Sequence, residues 1–180
     1  MATNNLNIGS KAPDFNLTAT DGKNYSLSSF EDKEALIVIF SCNHCPYVQA
    51  YEDRIKKLQD DYKEKGIIVI AINPNEDVNY PDDSFENMKE RAAEQNFNFL
   101  YLRDEDQSVA RAYDATHTPE IFLFDKNRRL AFHGKIDDNW QDPTKVQNHY
   151  LRNALDELLE GKEISVPETF TIGCTIKWKK

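Results

Sequence analysis

The stretch Ala35-Leu36-Ile37-Val38-Ile39-Phe40-Ser41-Cys42-Asn43-His44-Cys45-Pro46 decides how the chain is read. Ala35 to Phe40 is apolar on both faces, as a central strand covered by helices would be. Past Cys45 the period changes. Val48, Tyr51, Ile55, Leu58 and Tyr62 recur at helical spacing with charged residues between them. Lys65-Gly66 ends that helix, and Ile67 to Ile72 reads as a second buried strand. A strand, a helix and a strand in that order predict a right-handed crossover between parallel strands. Two of the three cysteines, Cys42 and Cys45, stand at the joint between the first strand and the helix.

Around this unit the rest of the chain falls into short elements. Upstream, Ala12 to Ser28 holds two strand-like pieces around Asp21-Gly22, a hairpin signal. Downstream, Asn73 to Asp83 is an acidic loop, read as a solvated charge run with a partner surface as the alternative. A helix is predicted from Ser84, as N-cap, to Gln95. A strand at Phe99–Leu102 and a short helix at 107–113 follow. Thr116-His117-Thr118-Pro119 leads into a strand at Ile121–Phe124. Lys126-Asn127 turns the chain into a partner strand at Leu130–His133. A helix is expected over Val146 to Leu159, stopping at Gly161. In the tail, Phe170, Ile172, Cys174, Ile176 and Trp178 alternate with polar residues or glycine. That is period 2, a strand with Cys174 on its apolar face.

The whole chain, 1–180, reads as one α/β domain with 162–180 as a C-terminal extension. Hydrophobic residues make up 39%, enough for a globular core. A net charge of -9 argues against nucleic acid or an anionic membrane as partner. The first eight residues carry no basic start and no apolar run, so no secretory signal is read, and a soluble, cytoplasmic protein is expected. An odd cysteine count does not suit a disulfide scaffold, whereas two cysteines with two residues between them suit redox or metal chemistry.

The position of that pair carries the chemistry. A helix N-terminus offers unpaired N–H groups and about half a positive charge, which stabilise a thiolate. The spacing lets one thiol attack a mixed disulfide made by the other. His44 beside them favours the thiolate and predicts a more oxidising couple than one with Gly-Pro between the cysteines; the alternative is a ring facing solvent. Zinc would need four ligands, and the chain offers one pair with only His44 and Cys174 at a distance. No metal and no cofactor are therefore assigned. Pro46 leaves two registers open. Either the helix starts at Pro46 with Cys45 as its cap, which makes Cys45 the stabilised thiolate, or Asn43 caps it and Pro46 lies in the first turn. Cys174 is either a small buried hydrophobe or a third redox thiol folding back to the pair.

Gly9-Ser10-Lys11-Ala12-Pro13-Asp14-Phe15, Phe40-Ser41-Cys42-Asn43-His44-Cys45-Pro46 and Thr118-Pro119-Glu120, in this order of elements, resemble the thioredoxin-like superfamily. The branch they resemble is the alkyl hydroperoxide reductase/thiol-specific antioxidant, or redoxin, family, over about residues 8 to 160. The tail from Gly173 to Trp178 is similar to that of a small peroxiredoxin-like subgroup. The resemblance implies a thioredoxin-like fold, a mixed β-sheet flanked by helices. It implies Cys42 as nucleophile, Cys45 as resolver and Pro119 as a cis-proline facing the pair. Two features depart from thioredoxins: Ser41 stands where a Trp precedes the first cysteine, and Ala35–Phe40 holds no buried Asp, with Glu120 a weak substitute. The peroxiredoxin pattern Pro-x-x-x-Thr-x-x-Cys also fails in both registers. With Cys45 as its cysteine, Val38 and Cys42 replace the Pro and Thr; with Cys42, Ile39 replaces the Thr.

The function this implies is thiol–disulfide exchange at Cys42, Cys45, His44 and Pro119. The substrate would be a protein or small-molecule disulfide, and a thiol reductant would recycle the site. Thiol peroxidase chemistry through a sulfenic acid is the alternative. A redox-inert binding domain on the same fold is a third reading, and a monomer or a homodimer fits equally.

Overall fold

The computed structural model describes residues 6–180. The stretch read as free of a secretory signal lies outside this range as far as residue 5. The N-terminal hairpin pairs β1 (Asn16–Ala19) with β2 (Asn24–Ser26) in antiparallel fashion. Its turn passes through Gly22 at φ 84, a conformation that favours glycine. The apolar run becomes β3 (Ala35–Phe40), with all six residues buried. The helical period becomes α1 (Pro46–Tyr62), and Val48, Tyr51, Ile55, Leu58 and Tyr62 are its buried apolar residues. Gly66, at φ 80, lets the chain reverse into β4 (Ile67–Asn73). β3 and β4 pair in parallel from Ala35↔Ile67 to Phe40↔Ile72, as the strand-helix-strand order requires.

The remaining elements are α2 (Phe85–Glu94), β5 (Leu100–Arg103), α3 (Ser108–Ala112), β6 (His117–Thr118), β7 (Glu120–Phe124), β8 (Leu130–Gly134), α4 (Tyr150–Leu159) and β9 (Cys174–Thr175). Seven strands form one mixed sheet in the order β2-β1-β5-β4-β3-β7-β8, and β6 pairs with β9 apart from it. Ser84 caps α2 by accepting the Asn87 N–H. Among the described residues no helix is long and apolar enough to cross a membrane.

Alternation along β3 splits the core in two. Leu36, Val38 and Phe40 join one cluster, where Tyr113 meets Phe40, Phe122 and Phe124 edge-on. Ala35, Ile37 and Ile39 join the other, under α1 and α4. Each large side chain buried here contributes about 1.5–3 kcal/mol. Both faces of β3 are thus spent on packing, so the strand end, at Ser41 and Cys42, is where the chain is free to carry chemistry.

Three expectations are corrected. The last helix begins at Tyr150 rather than Val146, because the Asp138 carboxylate holds the backbone N–H groups of Gln147 and Asn148 in a non-helical loop. The tail strand is only Cys174–Thr175: Phe170 is 91% exposed and Ile172 43%, while Ile176 is buried. The alternation therefore finds a core only from Cys174 onward. The acidic loop is a solvated run only in part, over residues 78–82. Asn73, Asn75, Glu76 and Asp83 are all buried in it.

Candidate active site

The helix starts at Pro46, and Cys45 is its N-cap residue. The alternative with Asn43 as cap does not hold. Pro46 has no N–H to lose at the first helical position, and it biases Cys45 toward its observed extended conformation, φ -73 and ψ 124. Asn43 has a different task. Its N–H donates to Asp83 Oδ1 (2.6 Å) and its Nδ2 to the Asp82 carbonyl (2.6 Å). Its Oδ1 accepts from the Tyr101 hydroxyl (2.8 Å), and its carbonyl accepts from Gln49 Nε2 (3.0 Å). Asn43 thus fixes the loop between the two cysteines.

Asp83 is the buried acid of the site, and it was not recognised in the sequence. Besides the Asn43 N–H, it accepts from Asn73 Nδ2 (3.2 Å) and Asn75 Nδ2 (3.0 Å), and His44 Nδ1 lies 3.3 Å away. His44 is exposed and stacks on Tyr80. Its imidazole is therefore engaged with Asp83 rather than with either thiol. Glu120, the substitute considered for the missing Asp, is occupied elsewhere. It accepts the N–H groups of Thr116 and His117 and meets His133 Nε2 at 3.0 Å. It thereby braces the loop that ends at Pro119.

The Thr118-Pro119 bond is cis. Thr118 faces both cysteines: its Oγ1 lies 3.4 Å from Cys42 Sγ, and its carbonyl oxygen 3.4 Å from Cys45 Sγ. The three thiols are free, and Cys45 Sγ lies 2.7 Å from Cys174 Sγ. The period-2 reading placed Cys174 on an apolar face, and it packs beside Cys42, Cys45 and Val48. Among the described residues no group of three or more His, Cys, Asp or Glu is placed to hold a metal ion.

The two motif thiols are pushed in opposite directions. Hydrogen bonding from Cys42 lowers the Cys45 thiol to about 5, aided by Cys174 and by the Val48 amide in the first turn of α1, against the opposing effect of burial. Cys42 rises far above the ordinary thiol range, because it gives that hydrogen bond to Cys45, is buried, and faces the Asp83 charge. Cys174 is raised to about 11 by burial and by the neighbouring Cys45. Of the three thiols, Cys45 is thus the one whose surroundings favour the thiolate.

A mixed sheet in this order, with a Cys-x-x-Cys opening its first long helix against a cis-proline, defines a thioredoxin-fold protein with a dithiol site. The Redoxin family model matches residues 7–150, and the chain belongs to that family. The thiol-disulfide oxidoreductase ResA of Geobacillus kaustophilus (strain HTA426) is 31% identical over 122 residues, 67% of this chain. The chain covers 64% of that relative's length. A bcp peroxiredoxin of Helicobacter pylori (strain J99) is 24% identical over 110 residues, covering 61% of this chain and 67% of that one. The crystal structure of an uncharacterized conserved protein from Geobacillus kaustophilus superposes with a TM-score of 0.91 at 40% identity, over 97% of this chain and 93% of that one.

Proposed function

We propose that this protein is a thiol–disulfide oxidoreductase whose attacking thiol is Cys45. One observation carries the reading: Cys45 is the N-cap residue of α1, where its surroundings lower the thiol to about 5, while the equally buried Cys42 is pushed the other way. Attack needs a thiolate, and a helix N-terminus supplies one at neutral pH. Cys45 attacks one sulfur of a substrate disulfide, the new Cys45–substrate bond forms, and the other substrate sulfur leaves as a thiolate. An internal thiol then displaces the second half of the substrate. The charge on Cys45 disappears in the mixed disulfide. With it goes the main cause that raises Cys42 and the part of the rise at Cys174 that adds to burial, so an internal thiol ionises more readily once the substrate is bound. The 31% identity to a protein named a thiol-disulfide oxidoreductase supports the same class, with a disulfide-containing protein as the substrate in view.

Reduction of insulin by dithiothreitol in the presence of the protein tests this reading. The wild type accelerates it and Cys45→Ser does not; equal rates in the two proteins would refute it.

A second reading, thiol peroxidase, is favoured by the likeness to a bcp peroxiredoxin, 24% identical over 110 residues and 61% of this chain. Hydrogen peroxide consumption coupled to a dithiol separates the two readings.

A further inference from the structure

The tail crosses the active site as a strap fastened on both sides. On one side Thr169 N–H donates to the His133 carbonyl (3.0 Å), and Thr169 Oγ1 accepts the Lys135 N–H (2.9 Å), both at the β8 end of the sheet. On the other side Lys177 N–H donates to Asn75 Oδ1 (2.9 Å), and the Lys177 carbonyl accepts from Glu76 N–H and Gln107 Nε2 (2.9 Å each). Ile176 is buried, and Arg111 lies over the Trp178 ring. Between these fastenings β9 pairs antiparallel with β6, His117↔Thr175 and Thr118↔Cys174. The strap therefore occupies the backbone edge immediately before Pro119, and its approach is very close. A Cβ on Gly173 would stand 2.2 Å from the Thr118 carbonyl oxygen, so only glycine fits there. The register puts Cys174 over the thiols, with its Sγ 2.7 Å from Cys45 Sγ.

We propose that Cys174 is the resolving thiol of Cys45, delivered by a strap strand that takes the place at β6 where an extended substrate backbone would pair. This rests on the reading of Cys45 as the attacking thiol. The step balances as ordinary exchange. In the mixed disulfide Cys45–S–S–R, the Cys174 sulfur, having lost its proton, attacks Cys45 Sγ. The Cys45–Cys174 bond forms, the Cys45–substrate bond breaks, and R–S⁻ leaves and takes up the proton. Over the whole cycle the substrate disulfide is reduced by two electrons and the two protein thiols are oxidised to one disulfide. Cys42 stays reduced, with its sulfur against Thr118 Oγ1 at 3.4 Å. Geometry favours Cys174 as resolver because its sulfur is already held at Cys45 by a fastened strand, so it needs no search.

The test is a map of the disulfides formed when the reduced full chain is oxidised with diamide, digested without reductant and analysed by mass spectrometry. The expected major linkage is Cys45–Cys174, and it persists in Cys42→Ser. A major Cys42–Cys45 linkage with Cys174 free overturns the proposal. So does loss of all intramolecular disulfide in Cys42→Ser. As a second arm, Cys174→Ser treated with glutathione disulfide is expected to accumulate glutathione on Cys45, where the wild type releases it; release at the wild-type rate overturns the proposal. Failure of the wild type to reduce insulin would instead strike the oxidoreductase reading and leave the disulfide map to decide the strap.

Discussion

The sulfurs of Cys45 and Cys174 lie 2.7 Å apart although 129 residues separate them along the chain. Pairing of β9 with β6 creates this proximity, and it depends on the missing side chain of Gly173. Gly173→Ala forces β9 away from Thr118, since a carbonyl oxygen cannot yield as a flexible side chain can. The expected outcome is a loss of about 1–3 kcal/mol in denaturant unfolding, typical of overpacking, with faster alkylation of Cys174 by iodoacetamide. Gly161→Ala serves as the contrast: its φ of 72 strains the alanine and costs stability too, but the added Cβ meets nothing within 4 Å and leaves β9 in place. It should leave Cys174 alkylation at the wild-type rate.

Asp83 anchors the cysteine loop through the Asn43 N–H. Asp83→Asn turns one acceptor oxygen into a donor facing Asn75 Nδ2 or the Asn43 N–H, and leaves a buried group unpaired. A destabilisation of about 1–3 kcal/mol is expected. Removal of the charge also lowers the Cys42 thiol, which Asp83 now raises. Thiolate absorbance during a pH titration of Asp83→Asn with Cys45 replaced by Ser reads that shift directly.

The pH dependence follows from the depressed Cys45 thiol. Its contribution to stability is fully present above the ordinary thiol pKa of about 8.5 and is lost as pH falls through about 5. Reduced wild type should therefore lose stability relative to Cys45→Ser on acidification across this window. Parallel unfolding curves for the two proteins from pH 8 to pH 5, about the span of the shift, would contradict it.

A stabilised thiolate favours the reduced form, so the couple should lie above the −270 mV or so of thioredoxin. His44 faces Asp83 and solvent rather than the sulfurs. His44→Ala is expected to leave both the potential and the Cys45 titration close to wild type. Glutathione redox titration of the two proteins checks this. A large fall in the variant's potential would restore the direct role that the Cys-Asn-His-Cys sequence suggested.

How far the chain could be read in advance depended on the range of the contacts involved. β3, α1, β4 and the β7–β8 hairpin are written in local periodicity, and Pro46 at the helix start in local sterics. The cap at Cys45 was one of two legible registers, and the choice between them needed the Asn43–Asp83 bond, 40 residues apart. Asp83 stayed hidden because it sits among charged neighbours in a stretch that looks solvated, and only its asparagine partners show that it is buried. A signal was present in the Asn-Pro-Asn run at 73–75. The alternation from Phe170 to Trp178 is real, yet only the residues that reach β6 and the core behave as a strand. Nothing local to Cys174 specifies a partner 129 residues away.

The account stands most directly on which cysteine strikes first. Single variants Cys42→Ser, Cys45→Ser and Cys174→Ser, each incubated with glutathione disulfide and weighed intact without reductant, measure it. Attack by Cys45 predicts a glutathione adduct on Cys45 in Cys174→Ser, a Cys45–Cys174 disulfide with glutathione released in Cys42→Ser, and no adduct in Cys45→Ser. An adduct on Cys42 in Cys45→Ser, formed as fast as that of Cys174→Ser, would contradict it.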